Sequence, residues 1–193
     1  MPEEYIGLKF KAEKVEGTLS ENKKAAEIVK WCKELVKLTI APSYGQGTSG
    51  NLSIRNRDGF IITPTATFFE DIEEEDIVEI INVDLNNNIV KYRGNKLPSS
   101  ETLMHAVLYG KLKNINAIFH VHDDKVMKNY KVLKIPITEK ELPYGTKEVG
   151  EALLKIAKEG NYLIMNGHGC VVLGKCPEDA GKLVVEMHNK SMH

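Results

Sequence analysis

Cysteine is scarce in this chain. Cys32, Cys170 and Cys176 are too few and too scattered for a disulfide framework, and Cys170 and Cys176 lack the C-x-x-C spacing of a zinc ribbon. They read as reduced thiols of a cytosolic protein. Long apolar runs are missing too. No window holds the roughly 18 apolar residues of a membrane span, and Met1-Pro2-Glu3-Glu4 has neither the basic nor the apolar region of a secretory signal. The expectation is a soluble, cytoplasmic protein without a membrane partner. An excess of one charge sign is also lacking: 26 basic and 27 acidic residues leave a net charge of -1, with no long single-sign run. That excludes a nucleic-acid binder driven by phosphate neutralisation. With no repeats and no low-complexity linker, the 193 residues, 42% of them apolar, are expected to form one domain over 1–193, with 1–19 as an N-terminal extension. The partner is then a small molecule or another copy of the chain.

What is present is punctuated strands and helices. Residues up to about Thr18 show no period and are expected to drape over the surface. Ser20 is placed to cap a helix to about Leu38, where Ala25, Ile28, Val29, Cys32, Leu35 and Val36 recur at helical spacing beside Trp31. Pro42 and Gly45 stop it. Leu52-Ser53-Ile54 and Phe60–Thr63 read as a hairpin across Asn56–Gly59, and Val78–Val83 with Ile89–Tyr92 as another across Asn86–Asn88. Glu70 to Asp76 reads as a solvated helical turn. Pro98-Ser99-Ser100-Glu101 opens a helix to about Leu112, with Ser100 as cap, Glu101 in the first turn and Leu103, Val107 and Leu108 buried. Ile135-Pro136-Ile137 is expected to be a short strand and Thr146–Lys158 a helix. Leu163–Met165 and Val171–Leu173 are strands around Asn166–Gly169, and Pro177 begins a final helix. Early hairpins followed by alternating strands and helices predict a mixed α/β sheet flanked by helices.

The chemistry centres on Ala117–Asp124, where the apolar Ala-Ile-Phe runs into His120-Val121-His122. On a strand the two imidazoles share a face, so they form either half of a divalent-metal site or a polar pair at a strand end. His168, between Gly167 and Gly169, would supply the third nitrogen of an open catalytic site. His188 and His193 read as surface residues. His105, four residues after Glu101, shares its helical face and reads either as a packed helix residue or as support for the site. Glu101 is either a helix-terminal acid complementing the dipole or a general base. Three turns, Gly47–Asn51, Thr63-Pro64-Thr65 and Ser99-Ser100, offer hydroxyls and amides suited to a phosphate.

The ordered set G-T-S-G-N at 47–51, T-P-T at 63–65, P-S-S-E at 98–101, H-V-H at 120–122 and G-H-G at 167–169 resembles the class II aldolase/adducin family, on the side of its fuculose-1-phosphate aldolases, over about residues 22 to 190. The resemblance implies a central, mainly antiparallel mixed sheet with helices on both sides, and a homotetramer with sites at subunit boundaries. It implies one Zn²⁺ per subunit on His120, His122 and His168, phosphate binding by Gly50, Asn51, Thr65, Ser99 and Ser100, and Glu101 as catalytic acid/base. The implied reaction is reversible cleavage of a ketose 1-phosphate to dihydroxyacetone phosphate and an aldehyde through a metal-stabilised enediolate.

The chain departs from that pattern in places. Ala66 replaces a glycine after T-P-T, where its Cβ is expected to crowd a phosphate oxygen. Asp123 and Asp124 follow His122 and are expected to face solvent. The stretch from His122 to Pro143 is short, Tyr130 is the candidate for the family's acidic tyrosine, and the C-terminal lid of those aldolases is expected to be missing. Glutamate at 101 favours an aldolase or dehydratase over the family's epimerases, which carry aspartate there. The retained histidines separate the chain from adducin-like scaffolds. A metallo-β-lactamase reading of H-V-H-D-D fails, since the Asp comes one place early and the closing His is absent.

Overall fold

A computed structural model describes residues 7–17, 19 and 22–192. Met1–Glu4, Thr18, Ser20 with its expected cap, and His193 lie outside the described residues. The strands join into one eight-stranded sheet in the order β1 (Lys11–Lys14), β7 (Ile89–Arg93), β6 (Val78–Asp84), β5 (Phe60–Ile62), β4 (Asn51–Arg55), β8 (Ala117–Val121), β10 (Gly169–Gly174), β9 (Tyr162–Met165). Every neighbouring pair is antiparallel except β1 with β7, which is parallel. A small hairpin of β2 (Ser43–Tyr44) and β3 (Gly47–Thr48) precedes β4 in the chain.

Helices cover both faces, as the mixed-sheet expectation requires. On one face, α1 (Asn22–Lys37) and α5 (Pro177–Lys190) lay Ile28, Cys32, Leu35 and Val184 against Leu52, Phe119, Val121 and Val172. Trp31 meets Phe119 edge-on at 5.9 Å, and a Cβ at Gly181 would come within 2.3 Å of its indole ring. On the other face, α2 (Thr102–Lys111) and α4 (Lys147–Ile156) bring Leu103, Leu108, Val149 and Leu153 against Ile118, Leu163 and Val171. Each fully buried side chain of this size stabilises the fold by about 1.5–3 kcal/mol, so both cores form from apolar contact alone. Alternation along β8 then decides the site. Phe119 and Val121 point to the α1/α5 face, so His120 shares the α2 face with Ile118.

Four expectations are corrected. Lys11–Lys14 does not drape over the surface but extends the sheet edge through backbone bonds to β7, for which its side chains carry no pattern. The Ile135–Ile137 strand is reduced to one bridge, Ile137 with Ile164, and an unexpected helix, α3 (Asp124–Asn129), follows β8. Asp123 does not face solvent: it is 2% exposed, and its Oδ1 caps α3 by accepting from the Lys125 and Val126 amides. His188 is buried as well, because its Nδ1 meets Asp123 Oδ2 at 2.7 Å. A buried carboxylate needs such partners, and one of them, His188, lies 65 residues away in the chain.

Candidate active site and metal centre

The end of β8 presents His120, 1% exposed, beside Gly169 of β10. The His120 Nδ1–H donates to the Cys170 carbonyl at 2.9 Å, which leaves the Nε2 lone pair facing the pocket. A Cβ at Gly169 would lie 2.7 Å from His120 Cε1, so the close pairing of β8 and β10 needs glycine there. His122 Nε2 sits 3.0 Å from His120 Nε2. His168, lifted by the turn at Gly167 (φ +75°), stacks on His120 at 4.9 Å between centroids and meets His122 edge-on at 5.0 Å. One ligand nitrogen from each of the three lies within 4.8 Å of the others.

Glu101 closes this cluster from the start of α2. Its Oε2 lies 3.0 Å from His120 Nε2 and its Oε1 3.3 Å from His168 Nε2. Burial alone would raise the Glu101 carboxyl. Positive charge at His120 and His168, with hydrogen bonds from His168 and Asn51, outweighs burial and holds it well below the usual carboxylate range. The group therefore calls for a cation opposite it. His122 does not supply it as an imidazolium, since burial, reinforced by His120 and His168 and opposed by Glu101, pushes it well below its ordinary value. Three imidazole nitrogens and a carboxylate converging in one pocket are the donor set a divalent metal takes, the imidazoles binding it in their neutral form.

All nine candidate site residues line one pocket, together with Tyr44, Thr48, Ser49, Pro64, Ala66 and Tyr144. Two of its walls are locked side by side: Thr65 N–H donates to the Leu97 carbonyl (3.1 Å) and Ser99 N–H to the Thr63 carbonyl (3.2 Å). Gly50 takes φ +102°, and a Cβ there would stand 2.5 Å from the His120 carbonyl oxygen. Ala66 adopts φ +48°, the conformation glycine would take without cost. Ser100 does not cap α2. Glu101 occupies the cap position without a side-chain cap bond, and the turn is tied at Ser99, whose carbonyl accepts from both Thr102 N–H (3.1 Å) and Thr102 Oγ1 (2.7 Å).

Two roles escaped the sequence, those of Tyr144 and of the Asn51 side chain, and that of His105 was left open between packing and support. Tyr130 packs on the α1/α5 core, away from the pocket; Tyr144 lines it instead, stacked on His168 at 5.9 Å and 7°. The Pro143-Tyr144-Gly145 turn ahead of α4 was the available signal. Asn51, expected to hold phosphate, gives its side-chain amide to Glu101 Oε2 at 2.7 Å. His105 is fully buried with Nε2 2.6 Å from Asn51 Oδ1 and Nδ1 2.7 Å from Ser53 Oγ; burial pushes it down to about 3, against the opposing pull of Glu101.

The chain is similar in sequence and fold to known proteins. The family model for the Class II Aldolase and Adducin N-terminal domain matches residues 26–191. An L-fuculose phosphate aldolase of Escherichia coli is 38% identical over 104 residues, 54% of this chain and 44% of that protein, so the match spans less than half of that relative's length. The L-fuculose phosphate aldolase of Methanococcus maripaludis is 31% identical over 163 residues, covering 77% of this chain and 83% of that one. A solved L-fuculose 1-phosphate aldolase superposes with TM-score 0.73 at 27% identity, over 90% of this chain and 85% of that one. A sugar-phosphate aldolase from Thermotoga maritima shares the fold, with TM-score 0.70 at 18% identity over 88% and 92%. A match running from α1 to the end of α5, over the same sheet and through every wall of the pocket, makes this chain a member of the class II aldolase/adducin family.

Proposed function

We propose that the chain is a zinc-dependent class II aldolase that reversibly cleaves a ketose 1-phosphate, of the fuculose-1-phosphate kind, into dihydroxyacetone phosphate and an aldehyde. The observation that carries this reading is the convergence of Glu101 with His120, His122 and His168 at the floor of a pocket walled by hydroxyl- and amide-bearing turns. His120, His122 and His168 would hold one Zn²⁺, which when bound supplies Lewis-acid polarisation of the substrate's carbonyl and neighbouring hydroxyl oxygens.

The other groups take the remaining tasks. The turns at Gly50, Thr65, Ser99 and Ser100 bind the phosphate through amides, hydroxyls and the positive end of α2, since the pocket lining contains neither lysine nor arginine. Anchoring the phosphate sets the carbon beside the carbonyl against Glu101. As the carbon–carbon bond breaks, its electrons pass to that carbon, while the hydroxyl on the departing carbon gives its proton to solvent and that carbon becomes the aldehyde's. Glu101 moves the proton that completes dihydroxyacetone phosphate and takes it back in synthesis. Oligomerisation as a homotetramer, a small sugar phosphate as partner, and a cytoplasmic setting belong to the same reading. No described helix is long and apolar enough to cross a membrane.

The test couples metal analysis to turnover. Protein purified without chelator is expected to carry about one zinc per chain and to release dihydroxyacetone phosphate from fuculose 1-phosphate or a related ketose phosphate. Zinc without release points to dehydratase or epimerase chemistry of the same family. Neither zinc nor release leaves an adducin-like scaffold and ends the aldolase reading. Light scattering on the same sample checks the tetramer against the 21.6 kDa chain.

A further inference from the structure

From Asn51 in the pocket wall a buried polar chain runs back behind Glu101. Asn51 Nδ2 is 2.7 Å from Glu101 Oε2, Asn51 Oδ1 is 2.6 Å from His105 Nε2, His105 Nδ1 is 2.7 Å from Ser53 Oγ, and Ser53 Oγ is 2.9 Å from the Tyr109 hydroxyl. Every member is buried. The chain spans two elements: Asn51 and Ser53 are alternate residues of β4, and Glu101, His105 and Tyr109 recur every four residues along the facing side of α2.

The direction of these bonds follows from one end. A carboxylate only accepts, so the Asn51 amide must face Glu101 with its NH₂ and His105 with its oxygen. His105 then has to donate from Nε2. A neutral imidazole carries one proton, so Nδ1 accepts from the Ser53 hydroxyl, and Ser53 in turn accepts from Tyr109. All donors point toward Glu101, and bonds aligned head to tail in a buried setting reinforce one another.

We infer that Asn51 and His105 are positioning residues for Glu101: the Tyr109–Ser53–His105–Asn51 chain fixes the amide so that it holds Glu101 Oε2 and with it the orientation of the carboxylate at the histidine cluster. The inference rests on the aldolase reading for its activity assay and reassigns the Asn51 side chain from phosphate to Glu101. Without His105, the Asn51 oxygen loses its donor and the amide is held only by the carboxylate it is meant to position.

Two measurements test it. In the full-length chain labelled with ¹⁵N-histidine, with His105 assigned through contacts to the Asn51 amide, the ring proton is expected on Nε2; a proton on Nδ1 overturns the inference whatever the protein catalyses. His105→Leu is expected to lower kcat roughly 10- to 100-fold with KM changed less than about twofold and zinc content unchanged, and His105→Gln, which restores a donor, to recover most of the loss. A KM rise at constant kcat, or equal loss in both variants, also overturns it. A wild-type chain without aldol cleavage ends the functional reading alone, because the tautomer still decides the positioning chain. Should His105→Leu not fold, the tautomer and the His105→Gln split remain.

Discussion

At the scale of single residues, Glu101 is held by contacts that differ in kind from those of an ordinary helix-terminal acid, so its removal separates chemistry from structure. Glu101→Gln is expected to keep zinc while cutting turnover by about 10²–10⁴-fold, read from steady-state rates and metal content; unchanged turnover removes Glu101 from the mechanism. His120→Ala is expected to empty the metal site yet leave the far-ultraviolet circular dichroism intact, because both cores are apolar; unfolding would instead mark a structural metal. Ala66, at φ +48°, stores strain that Ala66→Gly should release, raising stability by about 0.5–1 kcal/mol in urea titration; a loss shows that the methyl group packs to advantage. His105 adds a pH dependence. Its pKa falls from the ordinary 6.5 to about 3 on folding, so between those values the unfolded chain binds the extra proton. Its contribution is present above about pH 6.5 and declines as pH falls, amounting to about 2 kcal/mol at pH 5, and His105→Gln should flatten that slope. The clustering of His120, His122 and His168 was legible in the sequence because strand alternation and a glycine-flanked turn show in local spacing. His105 was not, since spacing along a helix gives its face but not the strand opposite, and the Asp123–His188 pair joins residues 65 apart.

The elements that sequence reading found are those whose side chains carry their own period, α1, α2, α4, α5, the hairpins β4–β5 and β6–β7, and the strands β9 and β10. β1 was missed because its four residues, Lys-Ala-Glu-Lys, owe their place to β7's backbone rather than to their own side chains. The same segment reaches the site: Lys9 Nζ donates to the Tyr144 carbonyl and lies 4.4 Å from the Tyr144 ring centroid, while that ring stacks on His168. Removing residues 1–16 should therefore expose the β7 edge and raise aggregation, while lowering turnover through a loosened Tyr144; full activity in a monodisperse truncated chain would contradict this. α3 was missed because six residues are too few for periodicity, and its signal was the cap at Asp123, read instead as a solvated acid. Asp123→Ala removes that cap and strands His188, and should cost about 2–3 kcal/mol by urea denaturation.

For the molecule as a whole, family and fold were readable because five motifs kept their order across 22–190, each fixed by the sheet position it serves. The assembly of the pocket was less readable, since β4, α2, β8 and the β9–β10 turn contribute to it from distant parts of the chain. The pocket sits on the α2 side of the sheet, whereas the one tryptophan, Trp31, is sealed against Phe119 and Gly181 on the other. The protein thus carries a natural optical probe separated from its chemistry by the thickness of the sheet. Excited at the red edge of indole absorption, Trp31 will report unfolding of the α1/α5 layer, and its emission should stay constant while ligands enter and leave the opposite face.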